Sequence, residues 1–328
     1  MKLIKSKAEY LPQTSGLEGV YRQIELAGRT CYKSSPSSTS SPSSFVDRMI
    51  KSGHGAMLEH GTIYLKIPID YRSINVGNNY AGGTKIDFVL KCPYYESNSY
   101  SRSSVVTLNE GMVYPNIPYG YNFKGGIKYQ IVTTNLRVLQ ENNWLDDLQY
   151  LCEPTEFHEK RYTFKLTTSI GVSRELIRHR TLSFAEQSTR YCNYSRDKFN
   201  NQVSFCIPEW CDFEDAQIEE YEAGDFRHTR VGEYALLCGL AEAENNYMTM
   251  LSDDWQPQQA REVLPLCTAT EIVVTGFASD WRHFFDLRLF EKTGKAHPNM
   301  KQLAKLMQIE AGKQGILEDI ICKPSKFE

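Results

Sequence analysis

The sequence predicts an α+β fold for one domain spanning residues 1–328. Two short segments, around Ile63 to Ile67 and around Tyr162 to Leu166, alternate apolar and polar residues as half-buried strands do. Most of the chain after residue 214 instead places its apolar residues at helical spacing. Strands that do not alternate regularly with helices favour α+β over a parallel α/β architecture.

The N-terminal elements are predicted in the order strand, helix, loop, helix. "MKLIKS" is typical of a short strand, and "GLEGVYRQIELAGRTCY" follows Ser15, which can cap a helix. Residues 33–44, rich in Ser and Pro, are predicted to form a mobile loop, either a plain linker or a lid that orders over a ligand. A second helix in "SFVDRMIKSGHG" is predicted to end at Gly53.

Residues 70–158 are predicted to be an insertion within the domain. They are rich in Tyr, Asn, Ser and Gly, with one helical patch near "IKYQIVTTNLRVLQENN", and strands of similar pattern bracket them. After the insertion come a strand that runs into a helix and then a long amphipathic segment at 214–251. The last predicted elements are, in order, a short helix, a strand and two helices, in "PQQAREVL", "ATEIVVTG", "ASDWRHFFDLRLFE" and "HPNMKQLAKLMQIEAG".

Composition narrows the class of protein. With 41% hydrophobic residues the chain can bury a sizeable core, and its net charge of −3 argues against a general nucleic-acid binder. No apolar run reaches membrane-helix length and the N-terminus lacks a signal-peptide core, so we expect a cytoplasmic protein with no membrane partner. The nine cysteines show no Cys-x-x-Cys spacing, and no metal-site spacing occurs around His54 and His60, so no metal is expected.

The stretch "IRHRTLSFAEQSTRY", residues 177–191 and hereafter the cation segment, carries the clearest functional signal. Arg178, His179 and Arg180 are successive residues, so they fan outwards, and Arg190 follows within a dense run of hydroxyl and amide donors. Arginine forks bind phosphate, and the interleaved aromatic rings can stack on a base, so a nucleotide is the natural ligand. A solvated charged turn and a nucleic-acid-binding module are the alternatives, and the latter predicts a wide basic surface.

"RHRTLSFAEQS" resembles the signature motif of the flavin-dependent thymidylate synthases, Arg-His-Arg followed after seven residues by Ser, and the continuation "TRY" is similar as well. Further blocks resemble the same family in its order along the chain: "ELAGRTCYKS", "SGHGAMLEH", "AREVLPL", "TGFASDWRHFFDLR" and "HPNMKQLA". The resemblance covers roughly residues 1–68 and 160–310 and leaves the predicted insertion outside.

The resemblance implies a single catalytic domain that assembles into a homotetramer with shared active sites. It implies FAD as cofactor, dUMP as substrate, and NADPH and methylenetetrahydrofolate as co-substrates. The implied reaction is the reductive methylation of dUMP to dTMP, with NADPH supplying hydride through the flavin and tetrahydrofolate released. In this family no cysteine attacks the uracil.

The resemblance also implies roles for individual residues. The implied FAD contacts are His54, Arg178, His179, Arg180, Glu186 and His283. The implied dUMP contacts are Glu175, Arg178, Ser188, Thr189, Arg190, Arg261 and Arg288, with Arg288 reaching in from a neighbouring subunit. Arg178 and Ser188 are the predicted catalytic residues, and Glu175 is predicted to share a helix face with Arg178.

Three positions depart from the family pattern. Phe277 stands where relatives usually have Asn, Ala56 where some have a hydroxyl residue, and Lys301 where Arg is common. The Phe277 change predicts that one polar flavin contact is lost or replaced by ring packing. It also leaves open the alternative that this chain is a family member that binds FAD and nucleotide but no longer catalyses the reaction.

Overall fold

The computed structural model describes residues 1–35, 41–68, 70–74, 85–89, 95, 98–108, 127–211 and 230–322. Its strands, in chain order, are β1 Lys2–Ile4, β2 Lys7–Tyr10, β3 Thr62–Pro68, β4 Asp70–Ile74, β5 Lys85–Val89, β6 Arg102–Leu108, β7 Ile127–Asn135, β8 Arg161–Ser169, β9 Ser183–Glu186, β10 Ser204–Cys206 and β11 Ala269–Phe277. Its α-helices are α1 Gly16–Tyr32, α2 Pro42–Lys51, α3 Gly55–Leu58, α4 Leu136–Glu141, α5 Ile170–Leu176, α6 Val231–Ser252, α7 Pro257–Ala260, α8 Ala278–Arg288 and α9 Pro298–Lys313. This mixture confirms the predicted α+β class.

A four-stranded antiparallel sheet organises the middle of the molecule, in the order β2-β8-β11-β9. Helices α5, α8 and α9 cover it and bury an aromatic core that includes Phe164, Trp281 and Phe284. The predicted strand-to-helix segment after residue 160 is confirmed as β8 followed directly by α5. The carboxyl end of α5 therefore leads straight into the cation segment.

A second, three-stranded sheet has the order β3-β7-β6 and packs with α1, α2 and α4 around Ile63, Leu65 and Val132. A third cluster, built on α6, joins the parallel pair β1 and β10. The remaining pair, β4 and β5, is antiparallel. None of the helices in the described ranges combines the length and the apolar composition needed to cross a bilayer.

The region predicted as an insertion contributes to the fold. The predicted helical patch near residue 127 is wrong in its first half: residues 127–135 form β7, which pairs with β3 over residues 129–135, and only Leu136–Glu141 is helical. Residues 131–134, "IVTT", are all β-branched, which favours a strand over a helix. Strands β3 and β8, which bracket the region, lie in different sheets. The extent 70–158 remains a prediction.

Other element boundaries shift slightly. Helix α2 begins at Pro42, inside the predicted 33–44 loop, because Ser41 caps it by accepting a hydrogen bond from the Ser44 amide and Pro suits the first helical position. Of the predicted 214–251 segment, Val231–Ser252 is helical and residues 212–229 lie outside the described residues. Residues 36–40 of the predicted loop also lie outside them.

Candidate functional site

The cation segment begins with a tight turn, residues 177–182, that connects α5 to the edge strand β9. Ser169 caps α5 by accepting a hydrogen bond from the Val172 amide, and the helix ends at Leu176. The amide of Arg178 donates to the carbonyl of Glu175 at 3.3 Å, so Arg178 lies in a turn. The prediction that Glu175 and Arg178 share a helix face is therefore wrong, because the helix has ended before Arg178.

The turn separates its three cationic residues, as successive positions must. Arg178 and Arg180 are exposed, whereas His179 is buried. Gly276 on β11 lets the turn pack closely against the sheet. A Cβ at this position would lie 2.1 Å from Cδ2 of Leu182, so only glycine allows the Leu182 side chain to pack so closely. Within the described part of the chain, Arg178 and Arg180 have no ion-pair partner, and their charge faces solvent.

His179 is joined to the end of α8. Arg288 donates from Nε to His179 Nε2 at 3.0 Å and from Nη1 to Glu175 Oε2 at 3.3 Å. Because His179 Nε2 accepts a hydrogen bond, a neutral ring carries its proton on Nδ1. Burial, followed by the charges of Arg288 and His283, lowers the pKa of His179 to about 4. The ring is therefore neutral at pH 7, and Arg288 is held by two partners from the α5 end.

His283 lies on the same helix, α8, on its exposed side. Its ring centroid is 6.3 Å from that of His179, and Phe284 packs edge-on against His179 at 5.1 Å. The structure thus groups Glu175, His179, His283 and Arg288. Glu175 and His179 come from one part of the chain, and His283 and Arg288 come from α8, about 100 positions later.

Residues 186–190 leave β9 and turn past the end of α1. The Ser188 amide donates to the carbonyl of Cys31 at 2.8 Å, and Ser188 Oγ accepts from the Arg190 amide at 3.3 Å. The Arg190 guanidinium lies 5.3 Å from the centre of the Tyr191 ring, which contacts Tyr32 on α1. This loop is held by backbone contacts and leaves the Arg190 head group exposed.

Arg261 reaches the same loop from the turn after α7. Its Nη1 donates to Thr189 Oγ1 at 2.9 Å. Together with Arg174 these residues line a cavity of about 230 Å3. The structure therefore brings Thr189 and Arg261 together, although 72 positions separate them in sequence.

His54 stands apart from both groups in its contacts. It is exposed at the N-terminal end of α3, where its carbonyl accepts from the Met57 amide. Helix α3 packs against β9, the strand that carries Glu186 at its end. The fold thus brings His54 to the β9 edge of the four-stranded sheet.

Several basic residues near the site escaped the sequence analysis. Arg174 lines the Thr189 cavity, and Lys33, Lys165 and Lys198 line a separate cavity of about 470 Å3 beside the end of α1. Lys33 and Lys165 both pair with Glu271, at 2.6 and 3.2 Å. Their positions in sequence gave no common signal, because Lys33 follows α1, Lys165 lies on β8 and Lys198 lies after β9, and these parts of the chain meet only in the folded protein.

The cysteines near the site are poor nucleophiles. Burial raises the pKa of Cys31 to about 11, with a further contribution from Glu186, and burial also raises the pKa of Cys192. Both thiols therefore stay protonated at neutral pH. Within the described part of the chain, no group of three or more His, Cys, Asp or Glu residues is arranged to hold a metal ion.

Comparison with known proteins assigns the family. The model of the family described as thymidylate synthase complementing protein matches residues 129–314, more than half of the chain. The chain belongs to this family, the flavin-dependent thymidylate synthases. The resemblance of the cation segment is thereby confirmed at the level of the family, and the match begins inside the region predicted as an insertion.

Individual relatives of the flavin-dependent thymidylate synthases align over only part of their length. The flavin-dependent thymidylate synthase of Corynebacterium aurimucosum is 32% identical over 137 residues, 42% of this chain and 51% of the relative. That of Pyrococcus furiosus is 28% identical over 161 residues, 49% of this chain and 58% of the relative. The chain thus spans about half the length of the curated relatives it matches.

A crystal structure of the UMP/dUMP methylase PolB from Streptomyces cacaoi bound with 5-Br dUMP aligns over 97% of this chain and 96% of that one. It has 16% identity and a TM-score of 0.40. A TM-score this low establishes neither a shared fold nor a shared ligand.

Phe277, one of the three positions expected to depart from the pattern of the flavin-dependent thymidylate synthases, is packed inside the protein. Phe277 is 2% exposed, and its ring lies between the guanidinium groups of Arg102, at 4.3 Å, and Arg161, at 5.3 Å. Ring packing therefore occupies the place where a polar side chain was expected. Arg102 belongs to β6, within the region that the resemblance left outside the family.

Proposed function

We propose that this protein is a flavin-dependent thymidylate synthase that converts dUMP to dTMP. Methylenetetrahydrofolate donates the carbon, and NADPH supplies hydride through bound FAD. The observation that carries the proposal is the family's signature motif, residues 178–188, with Arg190 just after it, folded so that Arg178, Arg180 and Arg190 face solvent and have no ion-pair partner among the described residues. FAD brings a diphosphate and dUMP a phosphate, so unpaired arginines beside hydroxyl donors fit both groups.

FAD, when bound, supplies the hydride-transfer chemistry. Around it, His54, Arg178, His179, Arg180, Glu186 and His283 are the proposed contacts. Arg178 places a fixed positive charge where negative charge develops on the uracil or on the reduced cofactor. His179, neutral with its proton on Nδ1, orients Arg288 by accepting from its Nε, and offers the Nδ1 proton as a donor.

For dUMP, the proposed phosphate site is the loop of Ser188, Thr189 and Arg190 with Arg261. Arg261 is already hydrogen bonded to Thr189, so its fork is fixed before the substrate arrives and less entropy is lost on binding. Glu175 and Arg288, paired with each other, are the proposed contacts to the nucleoside. Protein catalysis is then positioning and electrostatics, with Arg178 and Ser188 at its centre.

The proposed assembly is a homotetramer in which Arg288, held by Glu175 and His179 of its own chain, also reaches a neighbouring subunit's site. Large apolar side chains exposed around the site support it: Ile177 is 46% exposed, Tyr191 58% and Leu266 59%. Apolar groups grouped around a polar site are typical of surfaces covered by another chain. Light scattering of the purified protein tests the tetramer, and a monomer that is active would contradict shared sites.

The deciding experiment is anaerobic conversion of dUMP by the purified protein with FAD, NADPH and methylenetetrahydrofolate. Mass spectrometry reads the product, and each component is omitted in turn. We expect dTMP to form only when dUMP, FAD, NADPH and methylenetetrahydrofolate are all present. The matched variant is Arg178→Lys, which keeps the positive charge but replaces the planar guanidinium with an ammonium group. We expect this variant to retain FAD while losing most turnover.

Absence of product from wild-type protein that retains FAD would contradict the proposed activity and indicate a relative without turnover. Failure to bind either FAD or dUMP would contradict the site itself. Binding of nucleic acid that weakens steeply with salt would instead favour a nucleic-acid-binding module.

A further inference from the structure

The first turn of α8 is capped by two carboxylates that share one arginine. Asp280 Oδ2 accepts from the Phe277 amide at 3.3 Å, and Glu159 Oε1 accepts from the Ser279 amide at 2.9 Å. The second oxygen of each carboxylate faces Arg102: Asp280 Oδ1 lies 3.7 Å from Nη2, and Glu159 Oε2 lies 3.4 Å from Nε. Arg102 therefore joins both helix caps.

The two carboxylates need this cation because they are buried together. The side chain of Glu159 is 6% exposed and that of Asp280 is 8% exposed. Burial raises the pKa of Asp280, and Arg102 opposes the shift. Two like charges in a dry environment repel, and a buried charge without a partner is costly. The helix N-terminus favours anions as well, but by less than a full opposite charge does.

Arg102 is itself fixed in place. Its Nη1 donates to the carbonyls of Ser99 and Ser101, both at 3.0 Å, and its guanidinium plane covers the Phe277 ring at 4.3 Å. The Ser101 hydroxyl is hydrogen bonded to Thr134 on β7 at 2.8 Å. A planar fork with several donors suits this arrangement, and a lysine ammonium does not reproduce it.

The same cap leads to the proposed flavin site. The side chain of Thr181, the residue that directly follows Arg180, acts on the Asp280 carboxyl by hydrogen bonding and opposes the rise that burial causes in the pKa of Asp280. Helix α8, which the cap anchors, carries His283 and Arg288, and Arg288 holds His179. One carboxylate thus contacts Arg102, the start of α8 and the end of the Arg178–Arg180 turn.

We propose that Arg102, supplied by the region predicted as an insertion, is a positioning residue for the flavin site and acts through Asp280 and Glu159 on α8 and Thr181. The inference rests on the proposed function. It gives part of the 70–158 region a specific role, because β6 places a cation where the family's α8 begins, beside the Phe277 that replaces the usual Asn. Deleting residues 75–155, which removes Arg102 together with β6 and β7, should then weaken FAD binding.

The test is a charge-compensation cycle read as the FAD dissociation constant of the purified protein. Arg102→Met leaves two buried carboxylates without their cation, and we expect FAD to bind roughly tenfold more weakly, with a changed visible spectrum of bound flavin. Arg102→Met combined with Glu159→Gln removes one of the two charges, and we expect it to recover most of that loss. Arg102→Lys keeps the positive charge and thereby protects folding. Its FAD dissociation constant should lie between those of Arg102→Met and the double variant. Arg22→Met is the matched control, because Arg22 is 66% exposed and pairs with Glu18 of its own helix, α1.

A residue that merely stabilises the fold would lower the melting temperature without changing the FAD affinity of the folded protein. Unchanged affinity in Arg102→Met and Arg102→Lys would therefore overturn the proposal, as would a double variant no better than Arg102→Met. If wild-type protein fails to bind FAD, the proposed function fails instead, which separates the two outcomes.

Discussion

Two sets of basic residues lie close to the four-stranded sheet. The buried set is Arg161 with His60 beside it, and the exposed set is Arg178, Arg180 and Arg190. Arg161, at the start of β8, is buried: its Nη1 donates to the Glu59 carbonyl at 2.9 Å, and its Nη2 lies 3.4 Å from Ser183 Oγ. Burial lowers the pKa of Arg161 to about 10, still well above neutral. Arg178, Arg180 and Arg190, by contrast, project into solvent.

The difference shows how one residue type divides between stability and binding. A buried arginine such as Arg161, whose Nη1 and Nη2 meet protein acceptors, links elements and is shielded from ligands by its burial. An exposed arginine whose backbone is fixed by neighbours adds little to stability but keeps its fork for an anion. Variants in the two sets should therefore fail in different assays.

The largest effect is expected for Arg161→Met. It removes the donors to the Glu59 carbonyl and Ser183 and one side of the Phe277 stack, so we expect the free energy of unfolding to fall by roughly 3 kcal/mol. Urea denaturation of the purified protein measures this. The matched variant Arg190→Met should change it by less than about 0.5 kcal/mol. Equal losses in both variants would abolish the distinction between the two sets.

The next effect concerns ligand binding by the exposed set. Arg190→Ala should raise the half-saturating concentration of dUMP roughly 10- to 100-fold, because a charge-assisted contact to phosphate is lost. FAD affinity should change far less. Titration calorimetry with each ligand separately measures both, and parallel losses would contradict the assignment of Arg190 to the phosphate.

A pH effect sharpens the description of the buried set. His60, fully buried beside Arg161, donates to or accepts from Thr275 Oγ1 at 2.9 Å, and burial with the Arg161 charge lowers its pKa to about 3. Between pH 6.5 and 3 the unfolded chain then binds a proton that the folded protein does not. The contribution of His60 to the free energy of unfolding is complete above about pH 6.5 and is lost as the pH falls. At pH 5 the free energy of unfolding is lower by about 2 kcal/mol for this reason. Denaturation at pH 7 and pH 5 measures it.

The control for that experiment is His60→Gln, which removes the titrating group. Its unfolding free energy should fall less between the two pH values than that of the wild type. His179, whose pKa is also depressed, contributes in the same direction in both proteins and cancels from the difference. An identical pH slope in the two proteins would show that His60 is not held neutral by the fold.

The smallest effect is expected for Thr189→Val, which preserves shape and removes the oxygen that accepts from Arg261 Nη1. We expect dUMP affinity to fall about fivefold, since a neutral acceptor holding a cation contributes on the order of 1 kcal/mol. Arg261→Ala should cost more, because the charge itself is lost. A Thr189 variant as impaired as Arg261→Ala would mean that the Thr189 hydroxyl itself contacts the substrate, beyond the backbone contact and the support of Arg261.

The sequence by itself determined the α+β class, the strand and helix that lead into the cation segment, and the family. These are local properties: alternation of apolar and polar residues in "RYTFKL", and a motif whose residues are adjacent in the chain. The same reasoning misassigned residues 127–135 as helix, because a short apolar run without flanking turns fits both periods, and pairing with β3 decided between them.

Only the tertiary structure decided which cations are free. The sequence does not show that Arg161 is buried while Arg178 is exposed, and it does not predict that Arg102 meets Glu159, Asp280 and Phe277. Solvation of a charge depends on the elements that pack around it, and those elements are distant in sequence. The chain encodes the presence of each arginine locally, whereas its exposure, and with it its use for binding or for stability, is settled when the sheets and α8 assemble.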